Sequence, residues 1–237
     1  MRHTMTAVVG IGMGLVLAAT VVWAASSKQE ERLEAARNVF QQIMDTPDKG
    51  IPEDLIGRAA CIGVIPSVKK AAFIFGGLHG SGYVLCRKNQ GTGAWGPPSG
   101  FSFSGGSFGL QLGVSATDFV LLFMNRDGIE KLLQDKFTLG ADASVAAGPV
   151  GRNATAATDA QMTAKVLAYS RSKGLFAGIA LNGAVLRPSG DDNEELYGRK
   201  IEPKDILLNG NVAPPAAALP LMNLLMQHSA VEGTPAP

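Results

Sequence analysis

The chain has 237 residues, 46% of them hydrophobic and 17% charged, enough apolar content for a buried core and too little charge for wholesale disorder. Twenty-one basic residues face twenty acidic ones for a formal charge of +1, which argues against a nucleic-acid binder with its basic excess on one face. Two cysteines and three histidines, with no ligand-like spacing between them, argue against a zinc site, and no other metal or cofactor is expected.

The first residues read as a leader. Arg2 makes a short positive start, 6-TAVVGIGMGLVLAATVV-22 is uncharged and apolar, and Val22, Trp23 and Ala24 end it on a small residue. This predicts a secretory signal peptide over 1–24, cut after Ala24 or Ala25, with retention as a membrane anchor as the alternative. Arg2 is its one charged side chain, so removal leaves the two signs balanced. The expected localisation is the periplasm or cell envelope.

From Ser27 to Asp45 the apolar residues Leu33, Ala36, Phe40, Ile43 and Met44 recur at three- and four-residue steps, which predicts an amphipathic helix. Its opposite face mixes Glu30, Glu31 and Glu34 with Lys28, Arg32 and Arg37. Pro52 opens a second short helix. After Cys61 come short apolar or alternating runs punctuated by Gly, Pro, Asn, Asp and Ser, the pattern of many antiparallel strands. Residues 127–136 read as a helix between strands, and NEELYG and PKDILL as helical turns near the end. The expected fold is α+β: a strongly curved antiparallel sheet, sandwich- or barrel-like, packed with N-terminal helices. It occupies one domain over residues 27–210. Residues 211–237 read as a loosely attached Pro/Ala-rich tail, with docking of 219–227 as a helix the alternative.

Glycine weakens a strand, so Gly105, Gly106, Gly109, Gly113, Gly174 and Gly178 need a structural reason: close approach of a backbone or ligand, or sharp coiling of the sheet. Cys61 and Cys86 form a disulfide if the protein is exported, or remain two buried thiols; spacing alone leaves both open. Gly76–Gly82 reads as a hairpin turn, with His79 a loop residue, because it lacks the G-K-[ST] ending of a phosphate loop.

Gly105 to Gly109 fits G-x-S-x-G around Ser107, with Asp118 or Asp142 as acid and His228 as base. The sequence after Ser107 alternates like a strand where a nucleophile elbow needs a helix, so a serine hydrolase is the remote reading. Lys69 and Lys70 stand between apolar runs, where a pair is usually a solvated turn and can also meet anionic headgroups. Arg152, Arg171 and Lys173 pose the same choice. Asp118 and Asp142 at strand starts read as turn or capping residues, and their pairing with Arg171 or Lys173 in the service of folding is the competing account.

The segments AAFIFGGLHGSGYVL, GFSFSGGSFGLQLG, DFVLLFM, LGADASVAAGPVGR, YSRSKGLFAGIALNGAVL and N-x-x-L-Y-G, in this order, closely resemble the SYLF domain family from about Ala35 to Gly198. The resemblance implies a lipid-binding domain with no catalytic step. Fungal and animal members bind phosphoinositides, some fungal members also bind and bundle actin, and bacterial members are typically exported envelope proteins. In eukaryotic members phosphoinositide binding leans on a basic amphipathic N-terminal helix; the helix here carries mixed charge. The resulting expectation is an exported domain that binds anionic phospholipid at a membrane surface, with Lys69, Lys70, Arg152, Arg171 and Lys173 as headgroup candidates. A structural or protein-binding envelope module, its partner unnamed by the sequence, is the second reading.

Overall fold

The computed structural model describes residues 27–46, 50–72, 76–91, 93–107, 115–125, 127–151, 163–172, 174–209 and 211–229. The leader, Gly109, Gly113, Arg152 and Lys173 lie outside that set.

Helix α1 spans Lys28–Met44. Ser27 caps it through a reciprocal box: its hydroxyl accepts from the Glu30 backbone N–H while the Glu30 carboxylate accepts from the Ser27 N–H. Leu33, Ala36, Val39, Phe40 and Ile43 are all buried, so the stripe visible in the sequence is spent on the core. Each large member of that stripe stabilises the docked helix by about 1.5–3 kcal/mol. Helix α2, Glu53–Arg58, follows.

Among the described residues nine strands build one sheet: β1 Cys61–Ala72, β2 Gly76–Cys86, β3 Ser99–Ser107, β4 Ser115–Phe123, β5 Phe137–Thr138, β6 Val145–Ala147, β7 Val166–Ser172, β8 Leu175–Gly178 and β9 Val185–Pro188. Their order across the sheet is β5-β9-β3-β2-β1-β4-β7-β6, with β8 also pairing β7. Every pairing is antiparallel except β6 with β7. The sheet curls into a half-barrel, so the expected α+β class and strong curvature hold. Short helices α3 Lys88–Gly91 and α4 Asp127–Leu132 lie between strands, and α5 Gly190–Tyr197 follows β9. A π-helical turn, Asp205–Asn209, comes next, and α6, Leu219–Gln227, comes last.

Alternation along the strands sends side chains into two cores. Phe101, Phe103, Phe119, Leu121, Phe123 and Leu186 fill one face with Ile129, Phe137 and the π-helical turn. Ile62, Val64, Tyr83, Leu85, Val120, Leu122 and Tyr169 fill the other, under α1, α2 and α6. Cys61 and Cys86, directly opposite in the β1–β2 ladder, are joined by a disulfide with Cα atoms 4.0 Å apart.

Three local readings change. Gly76–Gly82 is not a turn: it is strand β2, paired on both sides, and His79 is a ladder residue between Lys69 and Ser104. Lys69 and Lys70 are likewise not a turn but part of β1. Of the two readings of 219–227, helix docking is the one observed, with Leu221, Leu224 and Leu225 buried against α1 and its neighbours. Its end is held by Trp95, whose indole N–H donates to Ser229, and by a 2.8 Å contact between His228 and Glu53.

Glycine in these strands serves two purposes. A Cβ on Gly82 would collide with the Val64 carbonyl, and one on Gly178 would collide with the backbone of Gly148, where β6 and β8 meet end to end beside β7. Gly174 has φ +79° and makes the β7–β8 turn. Gly105 meets Ala184 at ordinary contact distance and Gly106 faces open space, so neither is required by crowding.

Candidate functional site

Strand β1 carries one extra residue. Ile65 pairs with Phe119 and Val68 with Thr117, so three steps on β1 match two on β4. The same extra residue appears against β2, between Val64 and Lys69. This is a β-bulge at Pro66–Ser67, and Ser67 takes φ 52° there. Because of it, Ile65 and Val68 both enter the aromatic core, and Lys69 emerges on the helix-bearing face. A regular strand would put Lys69 on the aromatic side instead.

Asp118 holds the bulge. One carboxylate oxygen accepts the Ser67 backbone N–H at 2.9 Å, and the other accepts from the Arg171 guanidinium at 2.8 Å. Arg171 stands directly across the ladder from Asp118 and also donates to the Gln42 side-chain oxygen at the end of α1. The pair is largely shielded, with side-chain exposures of 25% and 15%. Of the two accounts of Arg171, internal pairing with Asp118 is therefore what the structure contains. Asp142 does turn chemistry: its carboxylate accepts the Thr138 N–H, and its backbone carbonyl accepts from Lys131.

The remaining cations differ. Lys69 and Lys70 are neighbours on a strand and so point to opposite faces. Among the described residues neither has an ion pair. Lys69 lies in a row across the sheet with Ala116 on β4, His79 on β2 and Ser104 on β3, all exposed. The next row on this face is Ser81, Ser102 and Arg187, half-exposed to exposed, and among the described residues the Arg187 side chain is also without an ion pair. Sequence reasoning does not mark His79 or Arg187 as site residues. Their signal is the register of β2 and β9, which glycine-rich sequence hides.

This row lies at one end of the sheet, away from the disulfide. The ends of β1, β3 and β7 and the starts of β2, β4 and β8 gather there, and Leu175, 77% exposed, opens β8. At the other end of the same face the surface is closed. Gln29 is fully buried and donates to Asp192 and Glu195, both at 2.8 Å, while Arg32 pairs with Asp192 at 2.9 Å and the Tyr83 hydroxyl donates to Gln29. Burial works to raise the Asp192 pKa, but hydrogen bonds from Arg32 and Gln29 and the Arg32 charge outweigh it and hold the carboxyl below its ordinary value. Arg87 is buried as well, its guanidinium 4.4 Å from the Trp95 ring centroid and donating to the carbonyls of Ile56, Ala59 and Gly93.

No hydrolase site is assembled from the residues proposed for one. Gly105–Ser107 are ladder residues of β3 paired with β2, Asp118 is committed to Arg171 and Ser67, and His228 to Glu53. The π-helical turn contributes to a polar cavity of about 380 Å³, lined by Arg199, Lys200, Glu202, Asp205 and Asn209 among others, in which cations and carboxylates are mixed.

Residues 104–228 match a family sequence profile described as "Ysc84: Las17-binding protein actin regulator". The chain is 38% identical over 181 residues to LAS seventeen-binding protein 3 of Saccharomyces cerevisiae, covering 75% of this chain and 39% of that protein. It is 41% identical over 178 residues to the SH3 domain-containing protein PJ696.02 of Schizosaccharomyces pombe, covering 74% and 40%. It is 34% identical over 180 residues to human SH3 domain-containing YSC84-like protein 1, covering 76% and 52%. The chain thus spans about two fifths to one half of the length of these relatives, none of which is described as an enzyme. Taken with the curled sheet and its ordered motifs, these matches mean that the chain belongs to the Ysc84 family, the SYLF-domain family.

Proposed function

We propose that this protein is a non-catalytic module that docks the open end of its sheet on an anionic phospholipid surface. One observation carries the reading: Lys69, Lys70 and Arg187 hold charge without an ion pair among the described residues, and Leu175 is exposed at the same end of the sheet as the two lysines, while the apolar stripe of α1 is buried. A near-surface cation contributes about 1 kcal/mol at an acidic membrane, and a single apolar side chain adds interfacial contact. Arg171 is read here as the partner of Asp118, the carboxylate that holds the bulge, and not as a headgroup ligand. The Cys61–Cys86 disulfide supports an exported setting, since such bonds persist in oxidising compartments.

Vesicle flotation tests this. The protein is expected to float with phosphatidylcholine vesicles containing an anionic phospholipid, to float less as salt rises, and to do so less in Lys69→Gln/Lys70→Gln. Flotation that ignores lipid charge, salt and both substitutions rejects it.

The names of the fungal relatives favour a second reading, a protein-binding module. Under it, the open sheet end meets a protein partner, and flotation depends on neither Lys69 nor Lys70.

A further inference from the structure

We infer that the row Lys69–His79–Ser104 is a binding site for a phosphate monoester, an inference that rests on the lipid-docking reading and places its specificity on the sheet. Lys69 and His79 are directly opposed on β1 and β2, and His79 and Ser104 are directly opposed on β2 and β3. Opposed side chains on neighbouring strands start about 5 Å apart, so an ammonium, an imidazole and a hydroxyl stand side by side on one exposed face. Each is a hydrogen-bond donor to an anionic oxygen. A monoester presents three unesterified oxygens, one for each donor; a diester, as in a bridging headgroup, presents two. Arg187, one row away beyond Ser102, adds a cation at the margin.

The site is built by the irregularity just before it on β1. The bulge at Pro66–Ser67 turns Lys69 onto this face, and Asp118 pins the bulge through the Ser67 N–H. The glycines beside the row make it shallow: Gly106 has open space where a Cβ would stand, and so does Gly77. Asp118 and Arg171 are therefore positioning residues. The carboxylate on this face nearest along β4 is Asp118 itself, already engaged by Arg171 and Ser67, so it does not compete for Lys69.

The test uses the full chain and two probes. In the first arm, inorganic phosphate is titrated at constant ionic strength while the histidine ring resonances are followed, His79 being assigned by its loss in His79→Gln. The expected result is a saturable shift of His79 with phosphate and not with chloride, weakened roughly fivefold in Lys69→Gln, while His228, bound to Glu53, does not move. Asp118→Asn, which keeps the size of the side chain, is expected to weaken it as well. No saturable shift of His79, or an equal shift in Lys69→Gln, overturns the site. In the second arm, phosphatidylcholine vesicles carry either phosphatidic acid, a monoester, or phosphatidylglycerol, a diester of lower charge, with surface charge matched. Preference for phosphatidic acid that disappears in Lys69→Gln assigns the monoester to a lipid. A phosphate shift in the first arm without that preference keeps the site and assigns it to free phosphate. Vesicle binding that is charge-dependent but equal for both lipids, together with a silent His79, sinks the site while leaving the docking reading in place.

Discussion

Below the bulge, β1 and β2 send Ile62, Val64, Tyr83 and Leu85 into the helices; above it the same face carries Lys69, His79 and Ser81, exposed or half-exposed. The backbone is one continuous strand from Cys61 to Ala72. What differs is the cover. The lower half lies under α1, α2 and α6, whose apolar faces need a partner, while the described helices leave the Lys69 row exposed. A single extra residue in β1 decides which face each side chain beyond it takes. The lesson is that the covered half answers for stability and the open half is free to bind.

Substitutions can break that comparison. The largest effect is expected from Phe40→Ala, which empties the fully buried contact between α1 and the sheet: a loss of about 3–5 kcal/mol, read as a lower urea midpoint with the slope unchanged. A loss under about 1 kcal/mol would mean that α1 is not the cover it is taken to be. Gly82→Ala comes next. Its methyl group would meet the Val64 carbonyl and lie 2.7 Å from the Ile65 Cα, both backbone, and a cost of about 1–3 kcal/mol is expected. Gly106→Ala, two strand positions above Ser104 on the open half, should stay within about 0.5 kcal/mol of the parent. Equal costs for the two glycines would erase the distinction.

Asp118→Ala sits at the border. It leaves the Ser67 N–H and the Arg171 guanidinium without their shared acceptor and should cost about 1–3 kcal/mol. It should also weaken anion binding at Lys69, although Asp118 is not proposed to touch the ligand. Loss of stability with binding intact would separate the bulge from the site.

The smallest effect concerns acid. The Asp192 carboxyl is held below its ordinary pKa in the folded state, so it contributes stability that is fully present above its unfolded value, about 3.9, and is lost as pH falls through the folded value. Urea midpoints measured downward from about pH 5 should therefore fall less in Asp192→Asn than in the parent. Parallel acid limbs in the two proteins would mean that the Arg32–Asp192–Gln29 cluster does not tie α5 to α1 as drawn.

Much of the covered half was legible in the sequence. The stripe from Leu33 to Ile43 has one period and one meaning. The strands of the aromatic core were legible too: Phe101 and Phe103 alternate with serine on β3, and β4 is one short apolar run from Phe119 to Phe123. The open half was not. Gly76–Gly82 carries the residues of a turn, yet two of its glycines serve the close approach of β1: a Cβ on Gly80 would press on Val68 and one on Gly82 on Val64. Lys69 and Lys70 were visible as cations, but which face each one takes depends on Pro66–Ser67, and a bulge leaves no periodic trace. Arg171 was visible as a charge beside a strand; that Asp118 stands opposite follows only from register. Helix α6 was ambiguous because Pro/Ala-rich sequence before Leu219 resembles a tail until the apolar positions 221, 224 and 225 find α1.

The most direct test of the open sheet face is amide hydrogen exchange on the full chain with and without phosphatidic acid vesicles. Slowed exchange is expected at residues 68–70, 77–81 and 102–106, with 28–44 unchanged because α1 is already docked. Protection confined to 28–44, with the three sheet segments unaffected, would show that the membrane meets α1 and would contradict the sheet as the binding surface.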